Sequence, residues 1–195
     1  CTSLTEITLP DSLKVISYAA FSGCKNLASV DLPDNLIYIV QDAFSGCKAL
    51  KTITLPATVK ECSPLAFLGC KALEAIAVAE GNKVYKSVDG VVAVANEEGE
   101  FNTIAIYPAG KAGEYAVPAE FKNIADKAFY DCDALTSIKF QEGFENIGAE
   151  SFYDCDGITT VSMPESARNI GDHAFASCDK LVEFIVLSNL TSYAD

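Results

Sequence analysis

Seven of the eight cysteines occupy one column of a 23-residue repeat. Cys1, Cys24, Cys47 and Cys70 follow one another at intervals of 23, and so do Cys132, Cys155 and Cys178. A fixed period of this length marks a stacked array of similar units. The neighbours keep the register. Three residues after each cysteine stand Leu4, Leu27, Leu50, Leu73, Leu135, Ile158 and Leu181. Six after stand Ile7, Val30, Ile53, Ile76, Ile138, Val161 and Phe184, and eight after stand Leu9, Leu32, Leu55, Val78, Phe140, Met163 and Val186. Pro10, Pro33, Pro56 and Pro164 follow directly. Phe21, Phe44, Phe67, Phe129, Phe152 and Phe175 each precede a cysteine by three, with Ala or Ser before each Phe. A last apolar column holds Ile16, Ile39, Cys62, Ile124, Ile147 and Ile170.

Each column has a physical task. The Ile-x-Leu pair alternates with period 2, which reads as a short strand with both apolar side chains inward. Proline at its end lacks a donor and turns the chain. The Ala-Phe-x-x-Cys stretch suits a tight helical turn, closed by Gly23, Gly46 and Gly69. No single unit can cover its own apolar side, so units must stack, about 4.8 Å apart if the strands pair in parallel. The expected fold is an α/β repeat solenoid of the leucine-rich-repeat kind. Short parallel strands line one face and short helical turns the other.

The pattern breaks between Cys70 and Cys132. Residues 84–87 and 91–95 read as strands around Asp89-Gly90, a good tight-turn pair. Residues 103–108 look like the Ile-x-Leu-Pro strand, and Tyr115 to Pro118 do so again. Only 11 positions separate Ile106 from Val117, too few for a coil. The expectation is one irregular coil with a protruding hairpin tipped at 96–99. The organisation is then a single domain over 1–195, with regular coils in 1–78 and 118–195 and the irregular coil in 79–117. Since Cys1 lies inside a unit, the chain reads as a fragment of a longer protein.

Charge is unevenly spread. Of the net −13, residues 1–78 contribute 6 Lys/Arg against 7 Asp/Glu, residues 79–115 contribute 3 against 6, and residues 116–195 contribute 5 against 14. So acidic a chain does not suit nucleic acid or an anionic membrane surface, which need clustered cations. No apolar run reaches the roughly 20 residues of a membrane span, so direct membrane insertion is not expected.

These residues resemble the BspA-like leucine-rich repeats of bacterial and protozoan surface proteins. The resemblance rests on the Ala-Phe-x-x-Cys-x-x-Leu-x-x-Ile-x-Leu-Pro unit. Tyr85, Asp89-Gly90 and Tyr107-Pro108 are similar to a variant coil of that family. It covers nearly the whole chain. It implies a curved solenoid, an extracellular or cell-surface location, and binding of host or neighbouring-cell proteins or matrix. The family brings no catalytic residues.

Tested as chemistry, the remaining groups lead to structure. Cysteines stacked in one column sit about a strand spacing apart, not at the roughly 2 Å of a disulfide. They form no C-x-x-C pair for zinc, and read as buried thiols. Asp131, Asp133, Asp154 and Asp156 make a calcium site conceivable. However, Lys25, Lys48 and Lys71 give way to Asp133, Asp156 and Asp179 in the same column, and a charge-tuned surface explains that without a metal. His173 has no nucleophile motif near it, and Asn189-Leu190-Thr191 matches a glycosylation sequon. No enzyme activity and no cofactor are expected.

The candidate binding surface is the outward side of the Ile-x-Leu strands. It comprises Glu6 and Thr8, Ser29 and Asp31, Thr52 and Thr54, Ser137 and Lys139, and Thr160 and Ser162. The irregular coil adds Tyr85, Asp89, Glu97, Glu98, Glu100 and Tyr107, and insertions in repeat arrays often carry binding loops. The expected function is a non-catalytic, adhesin-like module that binds a protein. A structural spacer is the alternative, and a carbohydrate-binding module is disfavoured because the strand face lacks aromatic residues. The oligomeric state is left open.

Overall fold

The computed structural model describes residues 1–186 and 192–193. It is a β-solenoid of about 7 turns. The Ile-x-Leu segments form one strand column: β3 (Thr52–Leu55), β5 (Ala75–Val78), β9 (Gly113–Ala116), β11 (Leu135–Lys139), β13 (Thr160–Met163) and β15 (Glu183–Val186). A second column runs along the other side. Its two-residue members are β1 (Val15–Ile16), β2 (Tyr38–Ile39), β4 (Glu61–Cys62), β10 (Asn123–Ile124), β12 (Asn146–Ile147), β14 (Asn169–Ile170) and β16 (Ser192–Tyr193). The longer β6 (Tyr85–Val88), β7 (Val91–Val94) and β8 (Thr103–Ile106) belong to it too. Parallel pairs such as Ile53 with Ile76 and Ile124 with Ile147 keep the 23-residue step.

The expected helical turns are not helices, apart from one 3-10 turn at Pro64–Phe67. Two features prevent them. First, Phe21, Phe44, Phe129 and Phe152 donate their N–H groups to the next coil, reaching Ala43, Ala66, Ser151 and Ala174 carbonyls at 2.8 Å. Those donors cannot also close an α-helix. Second, left-handed residues recur four apart, as at Ala19 and Gly23, Asp42 and Gly46, Lys127 and Asp131, and Glu150 and Asp154. A right-handed helix cannot pass through such positions. In the third coil Leu65 takes the place of Ala19 and Asp42 and lies inside the 3-10 turn instead.

Inside, the Phe column stacks face to face. Phe21–Phe44 and Phe44–Phe67 centroids are 5.3 and 5.7 Å apart, and Phe129–Phe152 and Phe152–Phe175 are 4.6 and 4.8 Å apart. The cysteines do more than fill space. Cys47, Cys70, Cys155 and Cys178 point their thiols at the carbonyls of Phe21, Phe44, Phe129 and Phe152, one coil back, at 3.2, 3.1, 2.9 and 3.1 Å.

The irregular coil is a partition. β6, β7 and β8 form an antiparallel meander, and β8 then pairs in parallel with β10. Residues 103–106 therefore belong to the second strand column, not to the Ile-x-Leu column expected from their sequence. The hairpin does not protrude either, since Val91, Val92, Ala93 and Ile104 are fully buried. Val92 and Ala105 face the core of the first coils, while Val91, Ala93 and Ile104 face that of the later ones. Tyr107 enters the Phe column, stacked 4.5 Å from Phe129. Gly110, three residues on, stands where a cysteine would be. A Cβ there would lie 2.7 Å from the backbone of Ala72 and Leu73, so no side chain fits.

Ser151 replaces the alanine that precedes Phe in other coils, and its buried hydroxyl has no protein partner. Ser151→Ala is expected to raise stability by about 1 kcal/mol, because the buried unpaired hydroxyl carries a desolvation penalty. Phe152→Ala, which opens the middle of the ring stack, is expected to lower it by about 3–5 kcal/mol. Urea unfolding followed by circular dichroism measures both.

Candidate interaction surfaces

The first strand column presents the small polar face that its sequence suggests. Glu6, Thr8, Ser29, Asp31, Thr52, Thr54 and Lys139 are exposed, whereas Ser137, Thr160 and Ser162 are half-buried. Two shallow depressions bring part of this set together. One, about 210 Å³, is lined by Ser29, Asp31, Thr52 and Thr54, and the next, about 330 Å³, by Thr8, Asp11, Asp31 and Asp34. The face ends at the partition, where the Asp89-Gly90 tip fills the break between β5 and β9. There the Gly90 carbonyl accepts the Ile76 N–H at 2.8 Å. A cleft of about 480 Å³ lies at the break, lined by Glu74, Asp89, Gly110 and Lys111. Lys111 Nζ holds Asp89 by its carboxylate at 3.0 Å and its carbonyl at 2.9 Å.

Two candidates are corrected. Tyr85 is 7% exposed and Tyr107 4%, so neither offers a binding face. Tyr85 lies 23 residues after Cys62 and takes the inward apolar position of its coil, where its hydroxyl accepts the Cys62 N–H at 3.0 Å. Tyr107 belongs to the ring stack, and its hydroxyl donates to the Lys111 carbonyl at 3.2 Å. Burial raises both phenol pKa values. Glu97, Glu98 and Glu100 are exposed on a loop closed by Asn96, whose side-chain oxygen accepts the Glu100 N–H at 2.8 Å. That loop is what remains solvent-exposed of the expected hairpin tip.

The acidic column has a main-chain role. Asp133 and Asp156 each accept the N–H of the aspartate one coil on, at 3.4 Å. Asp131 and Asp154 adopt left-handed backbone in the position that Gly23 and Gly46 hold earlier, a conformation aspartate tolerates. Lys71 pairs with Asp131 and, at 2.9 Å, with Asp133, so the change from lysine to aspartate in this column is bridged across the partition. Burial would lower the Lys71 pKa, but the two carboxylates outweigh it and raise it. Among the described residues, no three His, Cys, Asp or Glu side chains converge as metal ligands would. The Asn189 sequon lies outside the described residues.

The sequence reading passed over the outward side of the second strand column. In the later coils it carries an amide ladder. Asn146 donates to Asn123 at 2.7 Å and Asn169 to Asn146 at 2.6 Å. In the first coils it carries exposed apolar groups. Val15 and Tyr38 lie side by side in register, and Val40 and Tyr18, just past the ends of the same strands, are exposed too. Tyr18 is 67% exposed and Tyr38 42%. The 23-residue spacing of Val15 to Tyr38, and of Asn123 to Asn146 to Asn169, was the available signal.

The BspA type Leucine rich repeat region matches the chain in six copies, over residues 1–88 and 107–195. The chain belongs to this family. The unmatched residues, 89–106, hold the tip and return strands of the partition. The pneumococcal vaccine antigen PcpA shares the fold of this BspA-type chain with a TM-score of 0.80, at 30% identity over 99% of the chain. A leucine rich cell surface protein from Faecalibacterium prausnitzii has a TM-score of 0.67 at 22% identity over 97% of it. A leucine-rich repeat protein from Eubacterium ventriosum has 0.64 at 19% over 96%. At those identities the last two are likenesses of fold. The chain spans 47% of the pneumococcal chain and 61% of each of the others. No curated protein matches it.

Burial pushes the Cys62 thiol up to about 12 and raises the Cys132 and Cys155 thiols as well. Cys1, in contrast, is exposed. A thiol-disulfide reagent at pH 8 should therefore label Cys1 quickly and leave Cys62, Cys132 and Cys155 unmodified until denaturant is added. Rapid labelling of Cys132 in the native protein, read by peptide mass, would contradict this packing.

Proposed function

We propose that this BspA-type chain is a non-catalytic, adhesin-like segment of a bacterial cell-surface protein, and that it binds another protein. Family membership and the likeness to a leucine rich cell surface protein support the setting. One observation carries the binding role. Of the seven large hydrophobic residues exposed among the described residues, four lie in the first coils, Val15, Tyr18, Tyr38 and Val40, with Val15 and Tyr38 paired in register. Grouped exposed apolar and aromatic side chains are the usual chemistry of an interface, and tyrosines supply its anchors. Val15 and Tyr38 stand on two-residue strands clamped by parallel pairing, so the patch is pre-formed.

The spacer alternative needs no such face. The carbohydrate alternative gains some ground, since Tyr18 and Tyr38 provide aromatic rings that the outward positions of the first strand column lack. A photo-crosslinking residue at position 18, presented to extracellular matrix proteins, is expected to give a covalent product. The same probe at Thr54 should give none. Replacing Tyr18 and Tyr38 by Ala is expected to weaken the captured partner's affinity at least about tenfold, as loss of an aromatic anchor does. Equal capture at both positions would remove the patch from the binding role, and hits confined to a glycan array would favour the sugar reading.

A further inference from the structure

Immediately beside the exposed patch runs a column of cations. Lys14, Lys60, Lys83, Lys122 and Arg168 stand just before strands of the second column, with Glu145 between the last two. They are five of only 14 Lys and Arg in a chain of net charge −13. In the first coils three of them border a groove of about 290 Å³ whose lining includes Ile37, Val59 and Val84. Ile37 interrupts the lysine column between Lys14 and Lys60. It donates its N–H to Lys14 and accepts from Lys60 in the coil-to-coil ladder, at 2.8 and 2.9 Å. The charges therefore bracket an aliphatic centre. Lys71, Lys111 and Lys127 are all held by carboxylates of the chain, but Lys14, Lys60 and Lys83 take part in no ion pair among the described residues. Glu61 adjoins Lys60 in the chain without pairing to it. The aspartates of the same loops, Asp11 and Asp34, line the first strand face instead.

We infer that this groove receives an extended acidic segment of a protein partner, in which carboxylates alternate with aliphatic side chains. The inference rests on the reading of the chain as a protein-binding module and names the chemistry of its partner. The complementarity is specific. Lys14 and Lys60 stand two coils apart in the coil-to-coil ladder, about 10 Å, and Lys83 borders the same groove beyond them. An extended strand repeats same-face side chains about every 6.8 Å, a spacing that long, flexible lysine side chains can follow, while side chains on its other side meet Ile37 and Val84. A sulfated glycan would satisfy the lysines but leave this aliphatic centre unfilled. The groove lining holds no aromatic ring on which a sugar could stack. Unpaired lysines on an otherwise acidic protein also steer an acidic partner to this face and away from the later coils.

The test is a fluorescence-anisotropy titration of the full chain with labelled synthetic peptides. A peptide alternating Glu and Leu is expected to bind. Its Lys-Leu counterpart and a Glu-Ser peptide are expected to bind at least about tenfold more weakly, and added salt should weaken the Glu-Leu complex. The K14A/K60A/K83A variant changes three unpaired surface side chains, so it should keep the wild-type circular dichroism. It should lose at least about tenfold in affinity. An I37S variant, which alters a half-buried residue of the lining, should lose binding through the aliphatic centre. The proposal is overturned if the triple variant binds as the wild type does, if the Glu-Ser peptide matches Glu-Leu, or if heparin binds and the Glu-Leu peptide does not. A salt-sensitive dimer in sedimentation, abolished by the triple variant, would assign the groove to a second copy of the chain and overturn it too. The outcome separates from the wider reading. Lost capture at position 18 with intact lysine-dependent peptide binding removes the patch alone, and the reverse removes the groove alone.

Discussion

Main-chain hydrogen bonding from one coil to the next is the interaction on which the rest of this structure depends. It operates in both strand columns and also through the turns, where phenylalanine N–H groups donate forward to the following coil. Because every coil repeats the same donors and acceptors, side chains 23 residues apart are superimposed. That superposition produces the phenylalanine stack, the thiol-to-carbonyl contacts, the Asn123–Asn146–Asn169 ladder and the lysine column. It also explains why the turns are not helices. A donor committed to the next coil is lost to its own, and recurrent left-handed residues keep the segment from winding further.

The partition shows how such an array absorbs an irregular unit without losing its core. β7 buries both faces, so each side chain contributes to the coils before or after it. Two identities that look anomalous follow from this. Tyr107 supplies the ring missing from the Phe column, and Gly110 supplies the absence of a side chain where the backbone of Lys71 to Leu73 passes closest. Surface charge is joined across the same place, with Lys71 reaching Asp131 and Asp133, and Lys111 reaching Asp89. The irregular coil is thus a structural joint whose exposed parts include the loop at 97–100, the cleft beside Asp89, and Lys83 and Lys86.

Interest in binding accordingly moves to the first coils, on the side opposite the small polar strand face. There the second strand column shows Val15, Tyr18, Tyr38 and Val40, with Lys14, Lys60 and Lys83 alongside. The two strand columns differ in chemistry for a simple reason. The first packs strands of four or five residues whose outward positions are mostly small and polar, while outside the partition the strands of the second are only two residues long.

The repeat alone determined the solenoid, the 23-residue step, the inward columns and the burial of Cys24, Cys47, Cys70, Cys132 and Cys155, whereas Cys1 is exposed and Cys178 half-buried in the outermost coils. Those features follow from local spacing, which stacking merely multiplies. Tertiary structure decided the rest. Residues 103–108 carry the same Ile-x-Ile-x-Pro pattern whether they join the first strand column or the second, and only pairing with β10 chose between them. Tyr85 and Tyr107 read equally well as exposed anchors until stacking on Cys62 and Phe129 buried them. The free lysines could not be told from the paired ones either, because an ion pair such as Lys71 with Asp131 spans 60 residues of chain. Spacing within a unit is written in the sequence. Which coil meets which across an irregular joint is a property of the packed whole.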